Sequence, residues 1–193
     1  MTALSPSSAP AVHGAGRPSL AEALASLAPL LDYPTDALPS HALACRRSLA
    51  ADWPDAAGEL TPFVAWSLNE PLQALEERYT RTFDLSAVCA PYAGIHIFGE
   101  ESFARGELMA RLREAFTRYG FDAGPELPDH IAVLLRFAPK LDPGELEELI
   151  ECCLAGVVGK MADRLDPLDN PYRAPVRALR RLIADETATG GIS

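Results

Sequence analysis

The chain has 193 residues, of which 48% are hydrophobic, and a formal net charge of −10. That length supports one domain with a substantial core, and the acidity argues against nucleic acid and against stable membrane association, both of which call for excess Lys and Arg. A basic peptide suits this charge better, and the predominance of Ala and Leu over β-branched and aromatic residues favours helix.

Cys45, Cys89, Cys152 and Cys153 show no C-x-x-C spacing, and adjacent residues on a helix point about 100° apart. Buried free thiols in a reducing cytoplasm are expected, and no metal site or cofactor. The N-terminus lacks the basic and apolar regions of a secretory signal, and no apolar run is long enough to span a bilayer, so a cytoplasmic protein is expected.

Residues 1–18 are Ala, Ser, Pro and Gly with little else, the composition of a disordered tail. A helical domain is expected over 19–185, and a frayed C-terminus over 186–193. The spacing of Leu20, Leu24, Leu27, Leu30 and Leu31 predicts a first helix ending before Asp32-Tyr33-Pro34. A second is predicted over Ser40 to Ala51, closed by Trp53-Pro54. Thr61-Pro62 reads as a cap and start for a short helix through Leu68, and Asn69 as the cap of a helix carrying Leu72, Leu75, Tyr79 and Phe83.

Periodicity fails from Leu85 to Glu100, where an irregular crossing with a short helix is expected. It resumes at Ser102 with the stripe Leu108, Leu112, Ala115, Phe116, Tyr119, and Gly120 stands where a left-handed terminal residue is needed. Pro128 starts a helix apolar nearly all round, Ile131 to Phe137. Asp142-Pro143-Gly144-Glu145 is a capping-box variant opening one long helix to Arg164. Small residues Gly156 and Gly159 in it suggest close helix packing rather than a phosphate loop. Asn170-Pro171 begins the last helix.

Glu126-Leu127-Pro128-Asp129-His130 is the sharpest motif. Asp129 can cap the following helix and His130 can sit partly buried in a hydrogen bond; with His96, the two could instead centre a helical metal-dependent hydrolase, although more ligands would be wanted. His13 falls in the tail and His41 on a surface helix. From Phe121 to Glu151 there are eight acids (Asp122, Glu126, Asp129, Asp142, Glu145, Glu147, Glu148, Glu151) against Arg136 and Lys140. Beside the aromatic Tyr92 to Phe98 segment, this suggests an apolar groove with an acidic rim, fit for an amphipathic basic peptide.

Four blocks occur in order: Glu76-x-x-Tyr79-x-x-x-Phe83-Asp84; His96-Ile97-Phe98-Gly99-Glu100; Arg105-Gly106 leading to Leu112-x-x-x-Phe116-x-x-Tyr119-Gly120-Phe121; and Glu126-Leu127-Pro128-Asp129-His130. Together they resemble the NarJ branch of the TorD/DmsD/NarJ redox-enzyme maturation chaperones. The resemblance implies an all-α, TorD-like bundle of about eight helices with an irregular central crossing, and no catalytic activity. It implies a cytoplasmic chaperone that binds the N-terminal segment of an apo molybdoenzyme catalytic subunit, a twin-arginine leader or its remnant, and assists molybdenum-cofactor insertion before assembly or export. Respiratory nitrate reductase, and so nitrate assimilation, leads among clients in the dimethyl sulfoxide reductase superfamily, with cofactor-delivery proteins as further candidate partners. Leader binding carries over to Asp129 and His130, with Glu126 and Pro128 shaping the site and Tyr92, His96 and Phe98 lining the groove.

Overall fold

The computed structural model describes residues 18–84 and 88–189, with side chains through Asp185. The tail expected over 1–18 falls outside these but for its last residue, as do residues 85–87 of the expected irregular crossing and 190–193 of the expected frayed C-terminus. Among the described residues the regular secondary structure is helical apart from one isolated antiparallel bridge, between Tyr92 and His130.

Helix α1 (Leu20–Leu27) continues as a 3-10 turn to Leu30. Ser19 starts it with a capping box: its hydroxyl accepts from the Glu22 N–H at 3.3 Å, and the Glu22 carboxylate accepts from the Ser19 N–H at 2.8 Å. Helix α2 (Leu38–Leu49) begins two residues earlier than expected, because Pro39 fits its first turn. Trp53-Pro54, expected only to close α2, opens a further helix, α3 (Pro54–Glu59).

Two predicted caps are not caps. Thr61 lies within α4 (Thr61–Asn69), its hydroxyl accepting from Arg46 Nε at 3.2 Å. The Asn69 amide donates back to the Ala65 carbonyl at 2.6 Å, satisfying the end of α4, and Pro71 leads into α5 (Leu72–Phe83) instead. The irregular crossing holds α6 (Ala93–Phe98), and α7 (Phe103–Arg118) follows. Gly120 takes φ +58°, the left-handed conformation its position predicts.

Helix α8 (Ile131–Phe137), extended by a turn to Lys140, is the core element: Ile131 to Leu135 are fully buried and α1 packs along it. The long helix expected after Asp142 divides into α9 (Pro143–Leu149), a π-helical turn (Ile150–Ala155) and α10 (Gly156–Leu165). Asp142 caps α9 by accepting from the Glu145 N–H at 3.0 Å, but the Glu145 carboxylate turns to Arg118 and Tyr119 instead of reaching back. A Cβ at Gly156 or Gly159 would meet open space, so these glycines do not serve close packing.

The last helix, α11 (Arg173–Thr189), packs on α3, α10 and α1. Asn170 holds its approach, accepting from the Tyr172 N–H at 3.0 Å and donating to Thr82 Oγ1 at 2.9 Å. Tyr172 is fully buried among Phe63, Trp66, Tyr79 and Phe83, with ring centroids 5.0 to 5.9 Å away. A second aromatic group, Phe116, Phe121 and Phe137, pins the C-terminal half of α7 to α8 with centroids 4.7 to 5.2 Å apart.

Candidate functional site

Helix α6 is short, with a polar corner at its start and an apolar groove at its end. The corner forms because the chain just before α6 runs antiparallel to the chain just before α8. The Ala93 N–H donates to the Asp129 carbonyl at 2.7 Å and the Ile131 N–H to the Pro91 carbonyl at 2.8 Å. These bonds satisfy backbone groups that would otherwise be orphaned in the core.

The Asp129 side chain is fully buried. Its carboxylate accepts from Arg105 Nε at 2.8 Å and Nη2 at 3.3 Å, and from the Gly94 N–H at 3.2 Å. The guanidinium therefore meets the carboxylate as a fork, and it also lies over the Tyr92 ring, 5.4 Å from the centroid. Gly94 has to be glycine here: a Cβ would come within 2.6 Å of Arg105 Cγ and 2.7 Å of Asp129 Oδ2.

His130, not Asp129, caps α8, by accepting from the Ala132 N–H at 3.2 Å through Nδ1. The neutral ring then carries its hydrogen on Nε2, which faces the Tyr79 hydroxyl at 3.4 Å. Burial lowers the His130 pKa, outweighing the opposite pull of Glu126, Asp32 and Asp129, and so keeps the ring neutral. Tyr92 packs edge-on to His130, at 5.3 Å, and its hydroxyl donates to Glu126 at 3.2 Å. Burial, with Glu126 beside it, pushes that phenol up to about 12.

His96 is buried and turned inward, Nε2 bonded to the Ala90 carbonyl at 2.7 Å; burial lowers its pKa. The Lys160 ammonium donates to the His96 carbonyl at 2.7 Å, tying α10 to the end of α6. Asp129, His130 and His96 are thus each engaged with other groups. Among the described residues no three His, Cys, Asp or Glu side chains are grouped to hold a metal ion.

Beyond the end of α6 lies a groove of about 390 Å³. Ile97 and Phe98 form one wall, Leu108 and Leu112 of α7 the floor, and Leu149 with Cys152 and Cys153 the far side. Phe98 is 43% exposed and Ile97 38%; neighbouring Phe103 is 85% exposed. Burial pushes the Cys153 thiol up to about 11, leaving it a protonated apolar contact. The rim differs from the expected acidic one. Glu145 and Glu148 line it together with Arg111 and Arg118, and Arg118 is paired with Glu145.

Of the seven residues singled out by sequence, Phe98 opens onto the groove, Tyr92 and Glu126 are half-buried at the corner, and Pro128, Asp129, His130 and His96 are buried. Sequence reasoning missed Arg105 and Gly94 as parts of the corner. The Arg105-Gly106 pair belongs to one of the four sequence blocks, but nothing local links it to a carboxylate 24 residues further on. It also missed the π turn that presents both Cys152 and Cys153 to the groove.

An all-helical bundle with an open apolar groove beside a corner of internally bonded polar side chains has the TorD-like form. The chain belongs to the nitrate reductase delta subunit family, whose sequence model matches residues 46–178. Members of this family are maturation chaperones rather than catalysts. The fold is shared with a solved protein from Archaeoglobus fulgidus described as a redox enzyme maturation protein: TM-score 0.62, 21% identity, 91% of this chain and 99% of that one covered. No curated protein matches the chain in sequence. Among the described residues no helix is long and apolar enough to cross a membrane.

Proposed function

We propose that this protein is a cytoplasmic, client-specific chaperone that binds the N-terminal segment of an apo molybdoenzyme catalytic subunit and keeps it open for molybdenum-cofactor insertion before assembly or export. Respiratory nitrate reductase is the leading client. The observation that carries this reading is the groove: an apolar trough of about 390 Å³ with partly exposed Ile97 and Phe98 on its wall, in a chain of the nitrate reductase delta subunit family. An amphipathic segment laid into it would bury apolar surface against α6 and α7, while basic residues on its other face meet Glu148 and Glu126. Phe98, Tyr92 and Glu126 make the contact. Pro128, Asp129, His130 and His96 hold the corner in shape behind it.

Titration calorimetry against N-terminal peptides of molybdoenzyme catalytic subunits, with the nitrate reductase peptide among them, tests this. One peptide should bind at micromolar affinity or better, less tightly in added salt, and Phe98→Ala should weaken it about thirtyfold. Binding of none, or binding indifferent to Phe98, would overturn the reading.

A further inference from the structure

The carboxylate expected to meet a client's arginine already holds one. We propose that Arg105 is an internal stand-in for a client guanidinium, closing the site until an arginine of the bound segment displaces it from Asp129. This rests on the chaperone reading above and names how its polar corner is controlled.

The seat is built for a guanidinium. Asp129 is fully buried, and the Arg105 side chain bonded to it keeps 13% of its surface exposed. Fork geometry at 2.8 and 3.3 Å, the Gly94 N–H at 3.2 Å and the Tyr92 face at 5.4 Å are features any guanidinium could use, and none depends on the chain that brings it. A lysine could not, for want of the second in-plane donor.

The arm carrying Arg105 is lightly held. Among the described residues, the side-chain hydrogen bonds linking the first turn of α7 to the rest of the bundle are those of Arg105 itself, while the aromatic anchors and the bond to Glu145 lie in the last turns. Phe103, two residues before Arg105, is 85% exposed, and Gly99 ahead of it takes φ +91°. Swapping one guanidinium for another keeps the buried carboxylate compensated throughout, so the exchange avoids leaving a bare charge in the core. The arm it frees borders the groove through Leu108, beside the apolar face of the bound segment.

The test uses the whole protein with a client peptide found by the calorimetry above, and the same peptide with its arginines changed to glutamine. Removing an internal competitor raises apparent affinity by the inverse of the fraction of time the seat stood open. Arg105→Gln should therefore tighten the arginine peptide about tenfold and leave the glutamine peptide unchanged. Arg105→Lys, which keeps a charge beside Asp129, should give a smaller gain in the same direction should the glutamine variant fail to fold. In the wild type, the Arg105 Nε–H signal in 15N NMR should lose its protection as the arginine peptide saturates. A purely structural Arg105 gives the opposite: weaker binding in both variants and an unmoved signal, which overturns the latch while leaving the chaperone reading intact. If no peptide binds the wild type, the chaperone reading fails and the latch with it.

Discussion

The corner at the start of α6 and the groove at its end lie within six residues of each other and use their side chains in opposite ways. The corner spends its charge inward: Asp129 on Arg105 and Gly94, His130 on Ala132 and Tyr79, His96 on Ala90. The groove has few polar bonds and keeps Ile97 and Phe98 partly in solvent. A buried polar group must be satisfied or it costs stability, whereas an exposed apolar one costs little until a partner covers it. The residues that look chemical in the sequence therefore have partners inside the fold, and the bland ones carry the open surface.

Asp129→Ala tests this contrast most severely. It leaves the Arg105 guanidinium without its carboxylate and the Gly94 N–H without an acceptor, and should cost about 3–5 kcal/mol in urea denaturation. A loss below about 1 kcal/mol would mean the corner is not the structural half. Gly94→Ala comes next. Its Cβ meets Arg105 Cγ at 2.6 Å and Asp129 Oδ2 at 2.7 Å, so overpacking should cost about 1–3 kcal/mol, and Arg105→Ala in the same chain should relieve part of it.

Much of this was legible in the sequence where the signal is local. The leucine period of α1, the apolar run of α8 and the glycine stop after α7 each predict an element that is present. What was not legible depends on pairs distant in the chain. Thr61 and Asn69 have the chemistry of caps, but Arg46 claims one hydroxyl and Ala65 the other amide. The acidic window from Phe121 to Glu151 predicts an acidic rim only while α7 is left out, and folding brings Arg111 and Arg118 into the same lining. Asp129 and His130 stand out as a pair and His130 is buried in hydrogen bonds as its type suggests, but it is His130 that caps the helix, while Asp129 pairs with Arg105. Periodicity cannot locate a π turn either, since one extra residue in the turn leaves the apolar pattern nearly intact.

The two histidines of the corner region give the contrast a pH dependence. Burial lowers both pKa values from about 6.5, so near pH 6 the unfolded chain binds protons that the folded one refuses. Their contribution is therefore intact above about pH 6.5 and falls as pH drops below it towards the lowered folded values. Melting temperature should decline from pH 7.5 to 5.5. His96→Gln, whose amide can still donate to the Ala90 carbonyl, should flatten that decline, and an unchanged slope would show that His96 carries no share of it.

The smallest expected effect on stability belongs to the residue with the largest expected effect on binding. Phe98 is 43% exposed on the groove wall, so Phe98→Ala should shift stability by less than about 1 kcal/mol, the usual range for a partly exposed side chain. The same change removes an aromatic anchor from the surface a client would cover, where truncation commonly costs 2 kcal/mol or more, roughly thirtyfold in affinity. Measured together by denaturation and calorimetry, Phe98→Ala should lose affinity with little loss of stability, whereas Asp129→Ala should lose stability most and, with the arginine seat gone, affinity for an arginine peptide as well. A Phe98 variant that loses stability in proportion to affinity would place Phe98 in the core and remove the groove's open wall as a reason for client binding.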